Sequence, residues 1–179
     1  MLHTPKLIFA LLVASCLQLI IPTASFAENT NTQNSNAQHR TIIAQENQSE
    51  IGSQNPVAQK SFQAGLDFYK AKNLSEAESA FRKAVEADPK FAEAYANLGS
   101  VLANQNKVAQ AIPQFEKAVS LRPDVPFLHY QLGIALYLEK RPTDAITSLE
   151  KAKDLLTKSG NSKDAAQIES AIKKIQAEQ

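Results

Sequence analysis

Gly65, Gly99 and Gly133 recur every 34 residues, and the same interval relates Ala77, Ala111 and Ala145, then Phe81, Phe115 and Leu149, then Ala84, Ala118 and Ala152. Pro89 and Pro123 are spaced alike. A fixed period of this length means one small unit of secondary structure per repeat, which cannot bury its apolar face alone and so stacks on its neighbours. The units are 58–91, 92–125 and 126–159. Within a unit the apolar residues fall at helical spacing, as in Tyr95, Leu98, Gly99 and Leu102. There is no Gly-Gly or Asn-Gly hairpin pair there and no sustained alternation of the strand kind, so the expected class is all-α. A glycine in mid-helix costs up to about 1 kcal/mol relative to alanine, so close packing must offset it. Two helix backbones are expected to approach at each glycine. The alanines at 77, 111 and 145 face that approach, and Phe81, Phe115 and Leu149 fill the wedge behind it.

These units resemble the tetratricopeptide repeat. The first carries Ser61, Ala64-Gly65, Phe68, Ala77, Phe81, Ala84 and Pro89; the second Tyr95, Leu98-Gly99, Leu102, Ala111, Phe115, Ala118 and Pro123. The third carries His129, Leu132-Gly133, Leu136, Ala145, Leu149 and Ala152, with Thr157 where proline is expected. The resemblance implies a right-handed α–α superhelix whose first helices line a concave face. It implies a groove for a peptide or protein partner at Phe62, Leu66 and Tyr69 in unit one, Asn97 in unit two, and Phe127, Tyr130, Gln131, Ile134 and Tyr137 in unit three. The alternative for Phe127, Tyr130 and Tyr137 is contact with a neighbouring unit or with the last helix. Some members of the family hold a carboxylate tail with Lys, Asn, Asn, Lys and Arg. The matching positions here are Phe62, Leu66, Asn97, Phe127 and Gln131, of which only Asn97 agrees. With the cations missing, capture of a terminal carboxylate would be weak.

Helix ends are marked in several places. Asp88-Pro89 reads as an N-cap followed by proline at the first helical position. Asn73 with Glu76 reads as a capping box, and Pro142 as a helix start. Pro113 falls inside the second helix of unit two, where it forgoes a backbone bond and is expected to kink it. Gly160-Asn161 breaks the pattern. Segment 160–179 then resumes it with Ala165, Ile168, Ala171, Ile172 and Ile175 on one face, as a capping helix for the array.

The N-terminal third differs in composition. Lys6 precedes an apolar run from Leu7 to Ile21, then Pro22 and the small-residue stretch Thr23-Ala24-Ser25-Phe26-Ala27. This reads as a signal peptide, 1–27, cut after Ala27, which places the protein in the periplasm or outside the cell. An uncleaved membrane anchor is the alternative. Val13-Ala14-Ser15-Cys16 also resembles a bacterial lipobox, but the apolar run continues past Cys16. Asn, Gln, Ser and Thr make up more than half of 28–57, which reads as a disordered linker.

The remaining chemistry is sparse. A single cysteine gives no disulfide framework, and His3, His39 and His129 lie too far apart for a Cys/His zinc motif. Lysine and arginine total 19 against 18 acidic residues, a formal net charge of +1, so charge does not point to nucleic acid. No phosphate loop or nucleophile elbow is present, and His129 reads as core. The expectation is a non-enzymatic binding module with no cofactor, metal or small-molecule substrate.

Overall fold

The structure is a computed structural model that describes residues 52–178. The expected leader with Cys16 and most of the expected linker lie outside the described residues. Among the described residues seven helices follow one another: α1 (Pro56–Lys70), α2 (Leu74–Ala87), α3 (Ala92–Asn104), α4 (Val108–Leu121), α5 (Pro126–Leu138), α6 (Pro142–Lys158) and α7 (Ser162–Ala177). There is no strand among the described residues. Each helix packs on the next, giving three helical hairpins and a final single helix. This is the all-α solenoid that the period implies.

The core lies where the repeating residues are. Ala77, Phe81, Ala84, Ala111, Ala118, Ala145, Leu149 and Ala152 are fully buried, and Phe115 nearly so. A Cβ at Gly65 would meet the Phe81 ring at 2.7 Å, and one at Gly99 would meet the Phe115 ring at 2.7 Å. The glycine therefore makes room for an aromatic side chain. A Cβ at Gly133 would meet Leu149 at 2.7 Å and the Ala145 carbonyl at 3.2 Å, so there a second backbone does approach. Because Phe81 and Phe115 are themselves enclosed, neither ring can swing aside without opening the core.

The turns inside the units share one form. Lys72, Asn106 and Lys140 have φ of 62°, 64° and 59°. In each, the positive-φ residue donates to the carbonyl three back and the next residue to the carbonyl five back; Lys140 N to Tyr137 O is 3.0 Å and Arg141 N to Leu136 O 2.9 Å. This is the Schellman arrangement, which satisfies the last carbonyls of a helix. Gly160 (φ 80°) repeats it after α6.

Two expected caps are corrected, and one cap was not expected. Asp88 closes α2 instead of opening α3: its carboxylate accepts from Lys90 N at 2.9 Å, and its carbonyl from Phe91 N at 3.1 Å. Pro89 sits in that turn, and Phe91 is the N-cap of α3. Asn73 precedes α2, but its side chain makes no capping bond, so the box with Glu76 does not close. Asn55, inside the stretch expected as linker, caps α1 by accepting from Val57 N at 2.9 Å and Ala58 N at 3.3 Å, with Pro56 at the first helical position. The lead-in is held as well. Ser53 is buried and donates to the Asp88 carboxylate, and Asn55 Nδ2 donates to the Ala87 carbonyl at 2.7 Å. The linker thus stops short of Val57, because polar residues here bond to the end of α2.

Pro142 opens α6 as expected. Pro113 lies within α4, which continues through it to Leu121. Its missing N–H would have served the carbonyl of Ala109, and both residues are exposed, which leaves that carbonyl open to solvent. At the far end Asn161 caps α7 by accepting from Asp164 N at 3.3 Å. Ala165, Ile168, Ile172 and Ile175 of α7 are buried, the three isoleucines in one cluster with Leu149 and Ala152 of α6. Ala171 is partly buried.

Candidate interaction groove

Among helices that are not neighbours in the chain, α3 and α5, the first helices of units two and three, have the most mutual packing. Helices that close together on one side and splay on the other curve the stack, so the inner face belongs to α1, α3 and α5. Side-chain bonds run between units along that face. Asn104 Nδ2 donates to Tyr69 Oη at 2.7 Å, joining α3 to α1, and Gln131 Nε2 donates to Ser100 Oγ at 2.8 Å, joining α5 to α3. Burial pushes the Tyr69 phenol above its ordinary pKa, partly opposed by the Asn104 bond. Tyr69 is therefore a neutral anchor at any working pH.

The centre of the face is small. Ala96 and Ala103 are nearly buried, and Asn97, Ser100 and Asn104 are partly exposed. Leu66 stands on one side, and Phe127 and Ile134 on the other, all partly exposed. Phe62 is committed to the core on one edge, with ring centroids 5.6 Å from Phe81 and 4.7 Å from Phe91. Tyr130 and Tyr137 pack against the α6–α7 cluster, and the Tyr137 hydroxyl donates to the Glu178 carboxylate. That bond, then burial, raises the Tyr137 pKa. The contact with the last helix, which the sequence left as an alternative for these tyrosines, is thus present for Tyr137. The structure brings Leu66, Tyr69, Asn97 and Gln131 onto one inner face, while Phe62, Tyr130 and Tyr137 divide their surface between that face and the core.

Charge is scarce here. Lys70 lies 3.8 Å from Asp67, and Glu93 lies 3.4 Å from Arg122. The main ionic cluster is elsewhere, where Glu78 of α2 takes Arg82 at 2.8 Å and Lys107, ahead of α4, at 3.0 Å. Burial raises the Glu78 pKa, but the bonds from Arg82 and Lys107 outweigh it and hold the carboxyl below its ordinary value. His129 is buried, with Nε2 2.9 Å from the Pro123 carbonyl, and is a packing residue.

The tetratricopeptide repeat family model matches residues 62–126 and 103–160, which together cover more than half of the chain. The chain belongs to the tetratricopeptide repeat family. Solved repeat structures share its fold at low identity. The TPR2B domain of yeast Sti1, in a complex with pHsp70, superposes with a TM-score of 0.63 at 20% identity, covering 68% of this chain and 98% of that one. The Yersinia enterocolitica type III secretion chaperone SycD, with a peptide of the translocator YopD, gives 0.62 at 14%, covering 67% and 92%. PcrH with the chaperone-binding region of PopD gives 0.64 at 15%, covering 72% and 97%. No curated protein matches the chain significantly. Among the described residues no group of His, Cys, Asp or Glu could hold a metal ion, and no helix is long and apolar enough to cross a membrane.

Proposed function

We propose that this repeat protein is an exported, non-enzymatic interaction module that holds a peptide or protein segment against the inner face of α1, α3 and α5. The observation that carries this is the inner face itself. Its floor of Ala96, Ser100 and Ala103 lets a ligand backbone come close, while Leu66 and Ile134 rise on either side. Such a trough with aliphatic walls and convergent amides suits a chain segment better than a compact metabolite. Complexes of similarly folded proteins with peptides support the class of partner. Export rests on the leader-like sequence of 1–27; the alternative is an envelope protein held by its apolar N-terminus or by lipid on Cys16.

Site-specific photo-crosslinking tests the groove. A crosslinker at Asn97 should capture a defined partner in cells, and one at Lys117, on the exposed surface of α4, should not. Adducts from Lys117 alone would move the binding face to the second helices. Intact-mass measurement decides the N-terminus. A mass for 28–179 supports cleavage and export; a retained N-terminus or a lipid increment on Cys16 supports anchoring.

A further inference from the structure

A cleft of about 290 Å³ lies between the start of α4 and the end of α5. At the matching place one unit earlier, Gln105 Nε2 donates to the Leu74 carbonyl at 2.9 Å and ties the end of α3 to the start of α2. The same two positions, 34 residues on, are Glu139 and Val108, and both line the cleft. A carboxylate has no hydrogen to give. This junction therefore keeps two acceptors where the earlier one has a donor and an acceptor.

The other polar groups of the lining add to the same side. Ala109 belongs to it, and its carbonyl is the one that Pro113 leaves without an N–H. The side chains of Asn106, Gln110 and Glu139 line the cleft, are exposed, and make no hydrogen bond or ion pair with a described residue. Lys107 is the cation of the lining, and Glu78 holds it at 3.0 Å. Lys140 and Arg141 follow Glu139 but lie outside the lining, and Asp144 holds Arg141 at 2.7 Å. The start of α4 and the end of α5 bring opposite partial charges of about half an elementary charge each, so the Glu139 carboxylate sets the sign. Val108 and Leu138, both half-buried, supply an apolar wall.

We propose that this cleft takes a basic side chain, arginine before lysine, from a protein partner. The stem lies along Val108 and Leu138, and the charged head takes the place that the Gln105 amide has one unit earlier. There it donates to the Glu139 carboxylate and to the free carbonyls of α4. Arginine is preferred because its five N–H donors meet several acceptors at once. The site is separate from the groove, so either can fail without the other.

The test follows backbone amide shifts of the full, isotope-labelled chain by NMR during titration with Nα-acetyl-arginine amide. Nα-acetyl-norleucine amide and Nα-acetyl-glutamate amide are the controls. The arginine probe should move Val108, Ala109 and Glu139 selectively and saturate in the millimolar range. Glu139→Gln, which recreates the closed junction, should weaken it about tenfold. Pro113→Ala, which returns an N–H to the Ala109 carbonyl, should weaken it about threefold. Both positions are exposed, so each variant should keep the fold. Selective, saturable shifts that both variants weaken support the inference. Shifts spread over other acidic residues, or shifts unchanged in either variant, overturn it. Equal movement of the same amides by the norleucine probe overturns it too, by making the cleft merely apolar. Movement by the glutamate probe does the same, by making the start of α4 an anion site.

Discussion

At the C-terminal end α7 lies on α6 and leaves Ile168, Ile172 and Ile175 between 4% and 6% exposed. At the N-terminal end no preceding helix lies on α1 among the described residues, and Phe68 is 38% exposed, although its counterparts in the next two units, Leu102 and Leu136, are 0% and 3%. The two ends solve the same problem by different chemistry. On the face that meets the previous unit, α3 carries Ala94, Leu98 and Val101, and α5 carries Leu128, Leu132 and Ala135, all buried. The same positions of α1 are Lys60, Ala64 and Asp67, with both charges exposed. Two charges and a small residue give the first face less apolar surface to bury. The last face keeps Leu149 and Ala152 and is covered by an added helix. That helix has Glu169 one residue after Ile168, where α3 has Gly99 after Leu98. Glu169 instead takes Lys153 of α6 at 2.8 Å and Lys173 at 3.6 Å.

Removing a cover should therefore hurt more than uncovering a face that was never apolar. Deleting Ser162 to Gln179 exposes the α6 cluster and forfeits three buried isoleucines, each contributing about 1.5–3 kcal/mol. The shortened chain should melt well below the parent or aggregate, as scanning calorimetry and light scattering would report. An unchanged melting temperature would mean α7 is not a cap.

The converse experiment reopens the N-terminal end. Lys60→Leu with Asp67→Val gives α1 the face that α3 and α5 present to a neighbour. Sedimentation velocity should show larger species than the parent forms at equal concentration, with the helix content unchanged. If the double variant sediments like the parent, the two charges are not what keeps this end closed.

The turns give the smallest effect and also differ between the ends. Gly160, before the cap, has the residue that positive φ favours; Lys72, after α1, does not. Lys72→Gly should stabilise and Gly160→Ala destabilise, each by up to about 1 kcal/mol in denaturant titration. Equal and negligible changes would mean that these turns adjust freely.

The repeating core was legible because each unit needs the same small residues and the same wedge, so the interval of 34 shows in the sequence. The turns carry that interval too, at Lys72, Asn106 and Lys140, but lysine has no preference for positive φ and nothing flagged them. Asp88-Pro89 misled, since an Asp-Pro pair suits the turn after a helix as well as the start of the next. Asn55 and Ser53 were read with the polar linker because composition cannot show that their side chains meet the end of α2. The inner-face residues could be placed by register. Whether Tyr130 and Tyr137 faced ligand or cap could not, because the answer depends on where α7 sits.

The contrast between the ends rests most directly on one pair of residues at the same position of successive units. Leu102→Ala removes a fully enclosed side chain and should cost about 2–5 kcal/mol. Phe68→Ala truncates a larger side chain that is over a third exposed, and should cost about 1 kcal/mol or less. Measured side by side by denaturant unfolding, a gap of that size is the predicted result. Equal losses at the two positions would contradict it, by showing that something covers α1 as fully as α2 covers α3.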